Sequence, residues 1–530
     1  MLAAVASPTA FLRFCREHCR RGVVVPAATA LVVAGTAIVP TKGGARDGAL
    51  AWPRAAAAAR ANPIVIENRR PGTTAWQLRK PANDTGGQIK GYASAVSVNK
   101  GGKVTFYVTV RPRQAFTIDV YRIGWYRGRG GRLLRHVGPL RGSPQNACPT
   151  DPTTGLIACT WKPAYSLATQ RSWTSGIYLA KLTNSQGYQN YIMFDVRDDR
   201  SAAPLLYQQP VNTYQAYNNY PNDERSGKSL YAFNSYGATT ITGGPNAAKV
   251  SFDRPYSDSG AGQFLDRDIN FDHDINFVRW IERSGFDVTY STNIDTQRDA
   301  ASLMRHRGFL SVGHDEYWSK QMYDAAEAAR NAGVNLAFFG ANDIYWQVRF
   351  EPSRAGIPNR VMVCYRNPDI DPVADPSLKT VNWRQQPANR PEQRLIGIQY
   401  TAQLSKSQEH VPYIVLNSSN WVYSGTGFKD GDRVPGLVGY EADRSFSDEP
   451  LPEAAPGTYT LLSRSPLTTL AGSPDYANSS VYQATSGAWV FAAGTIDWSW
   501  GLDGFGSHGA QDSRIQRTTA NILRRFMRHG

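Results

Sequence analysis

Several signatures that would fix a chemistry early are missing from this 530-residue sequence. Cysteine is scarce, with five in the whole chain, and none stands at a strand-to-helix turn. That excludes an amidotransferase mechanism with a cysteine nucleophile. No Gly-x-Ser-x-Gly elbow occurs, so the serine-hydrolase turn has no carrier. His-Glu-x-x-His and Pro-Cys-x-x-Cys are also absent, and a zinc site of standard spacing is unsupported. No Lys-Ser/Thr follows the glycines of Gly128-Arg129-Gly130-Gly131, so this is not a phosphate-cradling loop. The formal net charge of +15 is scattered and builds no basic helix. This argues against nucleic acid as a partner and leaves nonspecific attraction to an anionic cell-wall surface. After Val39 no run approaches the ~20 apolar residues of a membrane span, and no internal repeat is visible.

What is present begins with a leader. Arg13, Arg16, Arg20 and Arg21 precede an apolar run from Val23 to Val39. A charged segment followed by an apolar one predicts a signal peptide or N-terminal anchor over residues 1–41. The expected location is therefore secreted or cell-envelope, with membrane anchoring as the alternative to cleavage. Residues 42–63, rich in Ala, Gly and Arg, read as a linker. Cys148 and Cys159 flank a Pro/Thr/Gly-rich stretch. In an exported protein this predicts a disulfide closing that loop. Cys364, inside the apolar run Val361–Tyr365, reads as a buried free thiol.

Residues 64–200 are strand-like. Short runs rich in β-branched and aromatic residues are separated by Gly, Pro, Asn and Asp clusters, which predicts a β-sandwich. Tyr121-Arg122-Ile123-Gly124-Trp125-Tyr126 and the glycines after it read as a hairpin. Near Pro204 the pattern changes, and residues 201–530 alternate strands with helices. Phe309–Gly313 reads as a buried strand. Ser319 caps a helix from Lys320 to Ala332, and Asn335–Phe339 reads as the next strand. That order predicts a right-handed βαβ unit with parallel strands. The fold class is α/β with an N-terminal all-β domain.

In open parallel sheets, ligands bind beyond the carboxyl ends of the strands. The rule selects His314, Asp315 and Glu316 after one strand and Asn342 and Asp343 after the next. It also selects Asp497 and Trp498 after a late strand, and Tyr214 and Tyr217 after Pro204–Gln208. Positions two apart on an extended segment face the same side, so His314 and Glu316 could reach one metal or one water. The bland alternative is that both cap the next helix. Without a nucleophile, hydrolysis would use metal-activated water. Tyr256, in Val250-Ser251-Phe252-Asp253-Arg254-Pro255-Tyr256, could ligate a hard ion, but most tyrosines serve in packing.

These residues resemble a known family. Tyr121–Tyr126, Gln215-Ala216-Tyr217-Asn218, Ser251–Tyr256, Gly313-His314-Asp315-Glu316-Tyr317-Trp318 and Gly340-Ala341-Asn342 are similar to motifs of the N,N-dimethylformamidase large (beta) subunit. The resemblance covers residues from about 64 to 530. It implies an Ig-like β-sandwich followed by a class I glutamine amidotransferase-like, flavodoxin-like parallel-sheet domain. It also implies a mononuclear iron held by two tyrosines and one glutamate, which activates water against an amide. Glu316 matches the glutamate and Tyr217 one tyrosine. The second tyrosine falls on Tyr256 by one alignment and on Phe252 by another. His314 and Asn342 match the polar groups that position water or substrate. Asp343, Asp497 and Trp498 are read as substrate-binding. No small subunit is encoded here, and assembly into a homo-oligomer is compatible with the sequence. The expected function is an exported metal-dependent hydrolase of amide C–N bonds. The alternative is a non-catalytic envelope protein that binds glycan, with Trp498 and Trp500 beside Asp497 and Asp503 forming the groove.

Overall fold

Up to Arg197 the strands pair antiparallel, except Ser97–Asn99, which runs parallel to Asp195–Arg197. The computed structural model describes residues 61–265, 273–506 and 508–528. The predicted leader and nearly all of the linker lie outside them. The last linker positions already belong to the folded unit Asn62–Gly530. There the Asn62 side chain accepts the Ile64 and Val65 amides and caps the helix Pro63–Asn68, as an N-cap asparagine does.

Two sheets follow. One has three strands, Ile89–Ala93, Lys103–Val110 and Pro163–Ala168. The other has five, with Gly176–Asn184 central and Gln114–Ile123 between it and the edge strand Gly131–Gly142. The apolar positions of both sheets, among them Val104, Phe106, Ile118, Val120, Tyr178 and Phe194, share one core. The predicted glycine hairpin is observed, with Ile123 opposite Gly131. Cys148 and Cys159 are joined in a disulfide.

From Leu205 a largely parallel sheet enters. A seven-stranded sheet runs in the order Val288–Thr292, Leu205–Gln209, Gly308–Gly313, Asn335–Gly340, Trp489–Ala492, Ser480–Gln483, Thr460–Leu461. The first five strands are parallel and the last two antiparallel. The expected βαβ unit is present. Gly308 pairs with Asn335 and Gly313 with Gly340, and the crossing helix is Lys320–Asn331, its Met322 amide bonded to the Ser319 hydroxyl. One element is additional. Tyr317–Ser319 leaves the main sheet and pairs with Trp346–Glu351 in a smaller four-stranded sheet. Among the described residues no helix is long and apolar enough to cross a membrane.

The early sheets meet the later layer through a buried ion pair. Arg122, from the aromatic hairpin motif, donates to both carboxylate oxygens of Glu282 at 3.0 and 2.7 Å, with both side chains fully buried. Glu282 sits on the helix His273–Arg283 and also accepts the Tyr290 hydroxyl at 2.9 Å. A buried guanidinium is tolerable only with such complete satisfaction. The conspicuous Tyr-Arg-Ile-Gly-Trp-Tyr run is thus a device that docks layers.

Candidate functional site

The site begins at two neighbouring glycines. The Gly308–Gly313 and Asn335–Gly340 strands end side by side. Gly313 has φ +77°, a left-handed value that side chains oppose. A Cβ on Gly340 would lie 1.9 Å from the Gly313 carbonyl oxygen. The two chains therefore leave the sheet tightly together and turn His314–Glu316 toward Asn342, itself at φ +55°.

The His-Asp-Glu run then divides. Asp315 accepts from Ser311 at 2.7 Å, Gln208 at 2.9 Å and Asn293 at 2.9 Å, which ties three strand ends together. His314 and Glu316 face elsewhere and meet each other, Nε2 to Oε2 at 3.2 Å. The expectation that they share a side holds. Helix capping does not describe them, since Ser319 caps the following helix. The Glu316 backbone is held by Thr213, whose hydroxyl accepts its amide, and by Trp346, whose amide donates to its carbonyl.

Two phenols complete the cluster. Tyr217, last residue of the Val211–Tyr217 helix, reaches Glu316 Oε2 at 3.1 Å. Tyr231 donates to both Glu316 oxygens at 3.0 Å and lies 2.7 Å from the Tyr217 hydroxyl. Tyr217 Oη, Tyr231 Oη and Glu316 Oε2 thus form a triangle with 2.7, 3.0 and 3.1 Å sides. Tyr317 donates to Tyr231 at 2.6 Å, and the Arg366 guanidinium donates to Tyr317 at 2.5 Å. Arg366 stacks over the Tyr231 ring, 4.3 Å from its centroid. Burial, then the Glu316 charge, pushes the Tyr217 and Tyr231 phenols well above the ordinary tyrosine range.

On the other flank stand Glu441 and Asn342. Asn342 Nδ2 donates to Glu441 Oε2 at 3.0 Å and lies 3.2 Å from His314 Nε2. His314 Nε2 is 3.3 Å from Glu441 Oε2. Burial raises the Glu441 carboxyl to about 7, against His314, which lowers it. For His314 burial works downward, but the Glu441 and Glu316 carboxylates outweigh it and lift the imidazole to about 9. Proton-bearing groups with displaced affinities in one cluster are what acid–base chemistry requires.

The structure therefore brings together four sequence-selected residues: His314, Glu316, Asn342 and Tyr217. It sets others apart. No hydrogen bond joins Tyr256 to Glu316 or Tyr217; it lines a separate cavity with Phe252, Arg254 and Gln215. The second phenol beside Glu316 is Tyr231. Asp343 is buried and its Oδ1 accepts the Asp315 amide at 3.2 Å; no hydrogen bond links it to His314 or Glu316. Asp497 sits between His273, at 2.9 Å, and His410, at 2.7 Å. Trp498 is wholly buried against Phe491 and Tyr413, with its Nε1 donating to Thr519. Trp500 is also buried, so among the described residues both indoles serve in packing. Tyr231, Arg366 and Glu441 were not singled out in the sequence. Glu441 opens the antiparallel strand Glu441–Arg444, which the strand-end rule does not select, and Tyr231 lies in a Ser/Asn/Gly-rich loop without period.

Among the described residues no group of three or more His, Cys, Asp or Glu is placed to hold a metal ion. The triangle of two phenols and one carboxylate is an all-oxygen donor set of a different kind. An octahedron with metal–oxygen bonds of about 2.0–2.1 Å has adjacent oxygens about 2.9 Å apart. The donor set fits one face of such a polyhedron.

Residues 117–512 match the family described as N,N-dimethylformamidase beta subunit-like, C-terminal. The chain is similar to the N,N-dimethylformamidase beta subunit of Alcaligenes sp., at 23% identity over 231 residues, which cover 38% of this chain and 29% of that protein. The matched segment is thus under a third of that relative's length. A solved Paenibacillus sp. cycloisomaltooligosaccharide glucanotransferase, complexed with cycloisomaltoheptaose, is 10% identical. It covers 62% of this chain and 61% of its own, at a TM-score of 0.18, which carries no argument about fold or activity. The family match spans Tyr217, Tyr231, His314, Glu316, Asn342 and Glu441 alike, and the chain belongs to the N,N-dimethylformamidase beta subunit-like, C-terminal family.

Proposed function

We propose that this protein is a hydrolase of amide C–N bonds in which Tyr217, Tyr231 and Glu316 hold one hard, oxygen-seeking cation, ferric iron by family resemblance. The observation that carries the reading is the oxygen triangle beside His314, Asn342 and Glu441. Phenols held this far above neutrality stay protonated unless a strongly Lewis-acidic ion displaces the proton. When bound, such an ion polarises a carbonyl and acidifies water.

The chain's own residues supply the rest. Glu441, whose carboxyl burial raises above the ordinary carboxylate range, is the base that takes a proton from water. His314 holds that carboxylate and Glu316 at one nitrogen. Asn342 Nδ2, already aimed into the cluster, donates toward the substrate carbonyl and fixes its orientation. The water oxygen bonds to the carbonyl carbon, its proton passes to Glu441, and the C–N bond breaks. The amine departs with that proton, leaving a carboxylic acid. A positioned base of this kind contributes ~10²–10⁴-fold.

The finer fold assignments belong to the same proposal. We read the early sheets as an Ig-like sandwich and the later sheet as amidotransferase-like. We also read residues 1–41 as the export or anchoring segment, on the strength of Arg13–Arg21 ahead of Val23–Val39.

The test is to load the purified protein with iron and follow three readouts. Stoichiometric iron, a visible tyrosinate-to-metal band and release of amine from N,N-dimethylformamide are expected. Glu316→Ala should lose metal, band and activity together. Glu441→Gln should keep the band and lose at least about 100-fold in kcat. A protein that binds no iron, or a Glu441→Gln variant with full turnover, would overturn the reading.

A further inference from the structure

One end of the early sheets carries a row of positive charge. Gln114 stands opposite Gly142 and Ala115 opposite Arg141. Phe116 stands opposite Asn184, and Thr183 opposite Gln189, the first residue of the strand Gln189–Arg197. Pro81 bridges to Gln189, and the Val110 amide donates to the Ser143 carbonyl. These pairings set Arg79, Lys80, Arg111, Arg113 and Arg141 at neighbouring chain ends, and all five residues are exposed. The four strands crossed are adjacent in one sheet, so the row is ~15 Å wide at ~4.8 Å per strand.

The charge is not answered from within the chain. Residues 79–81, 111–115, 140–145 and 184–189 contain no Asp or Glu. Asp84 and Asp119, the next acids along two of these segments, are taken by Lys90 and His136. Among the described residues none of the five cations has a carboxylate partner. Surface arginines elsewhere do find acids: Arg305 meets Asp299 at 2.6 Å, Arg514 meets Asp512 at 2.7 Å, and Arg390 meets Glu327 at 2.9 Å. The base of the row is also fixed. Lys80 donates to the Gln186 carbonyl at 3.1 Å, and the Gln114 and Gln186 segments exchange two hydrogen bonds at 3.2 Å. Like charges on neighbouring strands repel, and surfaces normally intersperse the two signs. A fixed row without acids is therefore suited to a partner that brings the negative charge.

The shape and lining narrow that partner. The cations lie side by side across strand ends, which suits a linear chain of charges more than a single ion. None of the exposed large apolar side chains belongs to these segments, so nothing here inserts into a bilayer. The one ring in them, Tyr188, packs against the core of the early sheets and carries the Lys80 ammonium 3.9 Å from its centroid. That leaves no platform on which nucleic-acid bases stack. Four of the five cations are arginines, whose guanidinium fork matches phosphate oxygens in pairs.

We propose that Arg79, Lys80, Arg111, Arg113 and Arg141 form a docking surface for a linear, base-free phosphodiester polymer, one that lies across the strand ends and pairs its successive phosphates with the row. This surface is separate from the buried cluster of Glu316 and stands whether or not the amidase reading does.

The experiment measures binding of the full chain to fluorescently labelled poly(glycerol phosphate) over a series of NaCl concentrations. Each phosphate neutralised on a flexible chain contributes about −0.7 to the slope of log affinity against log salt, so the row predicts a slope of about −3. The triple variant Arg111→Ser, Arg113→Ser, Arg141→Ser should reduce the slope to about −1 and weaken binding at least about tenfold at 100 mM salt. Its exposed positions leave the core untouched, and an unchanged unfolding midpoint checks this. The same three positions changed to lysine keep the charge and should retain most of the affinity. A control that removes equal charge elsewhere, Arg354→Ser, Arg433→Ser, Arg524→Ser, should change binding less than about threefold, since those charges lie outside the contact. Equal losses in the two serine triples would reduce the effect to net charge and overturn the proposal. So would absence of binding, or tighter binding to a polycarboxylate, to single-stranded DNA or to vesicles of anionic lipid than to the phosphodiester chain.

Discussion

Glu316 and Tyr231 show how differently two partners in one cluster can be read from sequence. Glu316 stands two positions after His314 at a strand end, where alternation makes the shared side foreseeable. Tyr231 lies in a loop whose conformation depends on hydrogen bonds among Ser229, Asn234 and Ser235. No periodicity encodes such a path, and Tyr256 offered a nearer match to a motif. The distinction is testable with two conservative substitutions. Tyr231→Phe deletes one oxygen of the triangle and should abolish the tyrosinate band or shift it strongly, with at least about tenfold weaker metal retention. Tyr256→Phe removes a hydroxyl from a separate cavity and should leave the band where it is. Equal loss in both variants, read by visible absorption and metal content, would return Tyr256 to the site.

At the scale of elements, the βαβ unit was the most legible part. Apolar strands of suitable length, a serine cap and a glycine stop all agree on one answer, and consistency across such signals is what makes a segment readable. The strand Tyr317–Ser319 was not legible. It owes its state to pairing with Trp346–Glu351, a partner that local pattern does not announce. The same junction explains why glycine ends both central strands. A Cβ on Gly340 would press on the Gly313 carbonyl, and backbone cannot swing aside as a side chain can. Gly340→Ala should therefore destabilise the fold by about 1–3 kcal/mol, the usual cost of overpacking. It should also spread His314 from Asn342. Denaturant unfolding reads the first effect and kcat the second; a stable, fully active Gly340→Ala protein would contradict the tight junction.

For the whole molecule, the union of the early sheets with the later layer was only half visible. The hairpin motif stood out in the sequence, yet Glu282, the acid that Arg122 needs, lies 160 positions away. Removing one partner leaves a buried charge unanswered, so Arg122→Ala should cost about 3–5 kcal/mol and lower the unfolding midpoint. Buried acids also set the pH response of the entire fold. Burial is the largest influence on Asp274 and raises its carboxyl from 3.8 to about 7, against the bond from Tyr207, which lowers it. The folded chain then binds a proton that the unfolded chain has released between about pH 4 and pH 7. Stability from this group is therefore present below pH 4 and is lost as pH rises through 7. Asp274→Asn keeps an oxygen for the Tyr207 hydroxyl and cannot ionise. Relative to the parent, it should gain stability between pH 5 and pH 8, by a few kcal/mol at most since three pK units correspond to about 4. Chemical denaturation at both pH values measures the difference. A gain of the same size at pH 5 and pH 8 would mean that Asp274 does not titrate in this window.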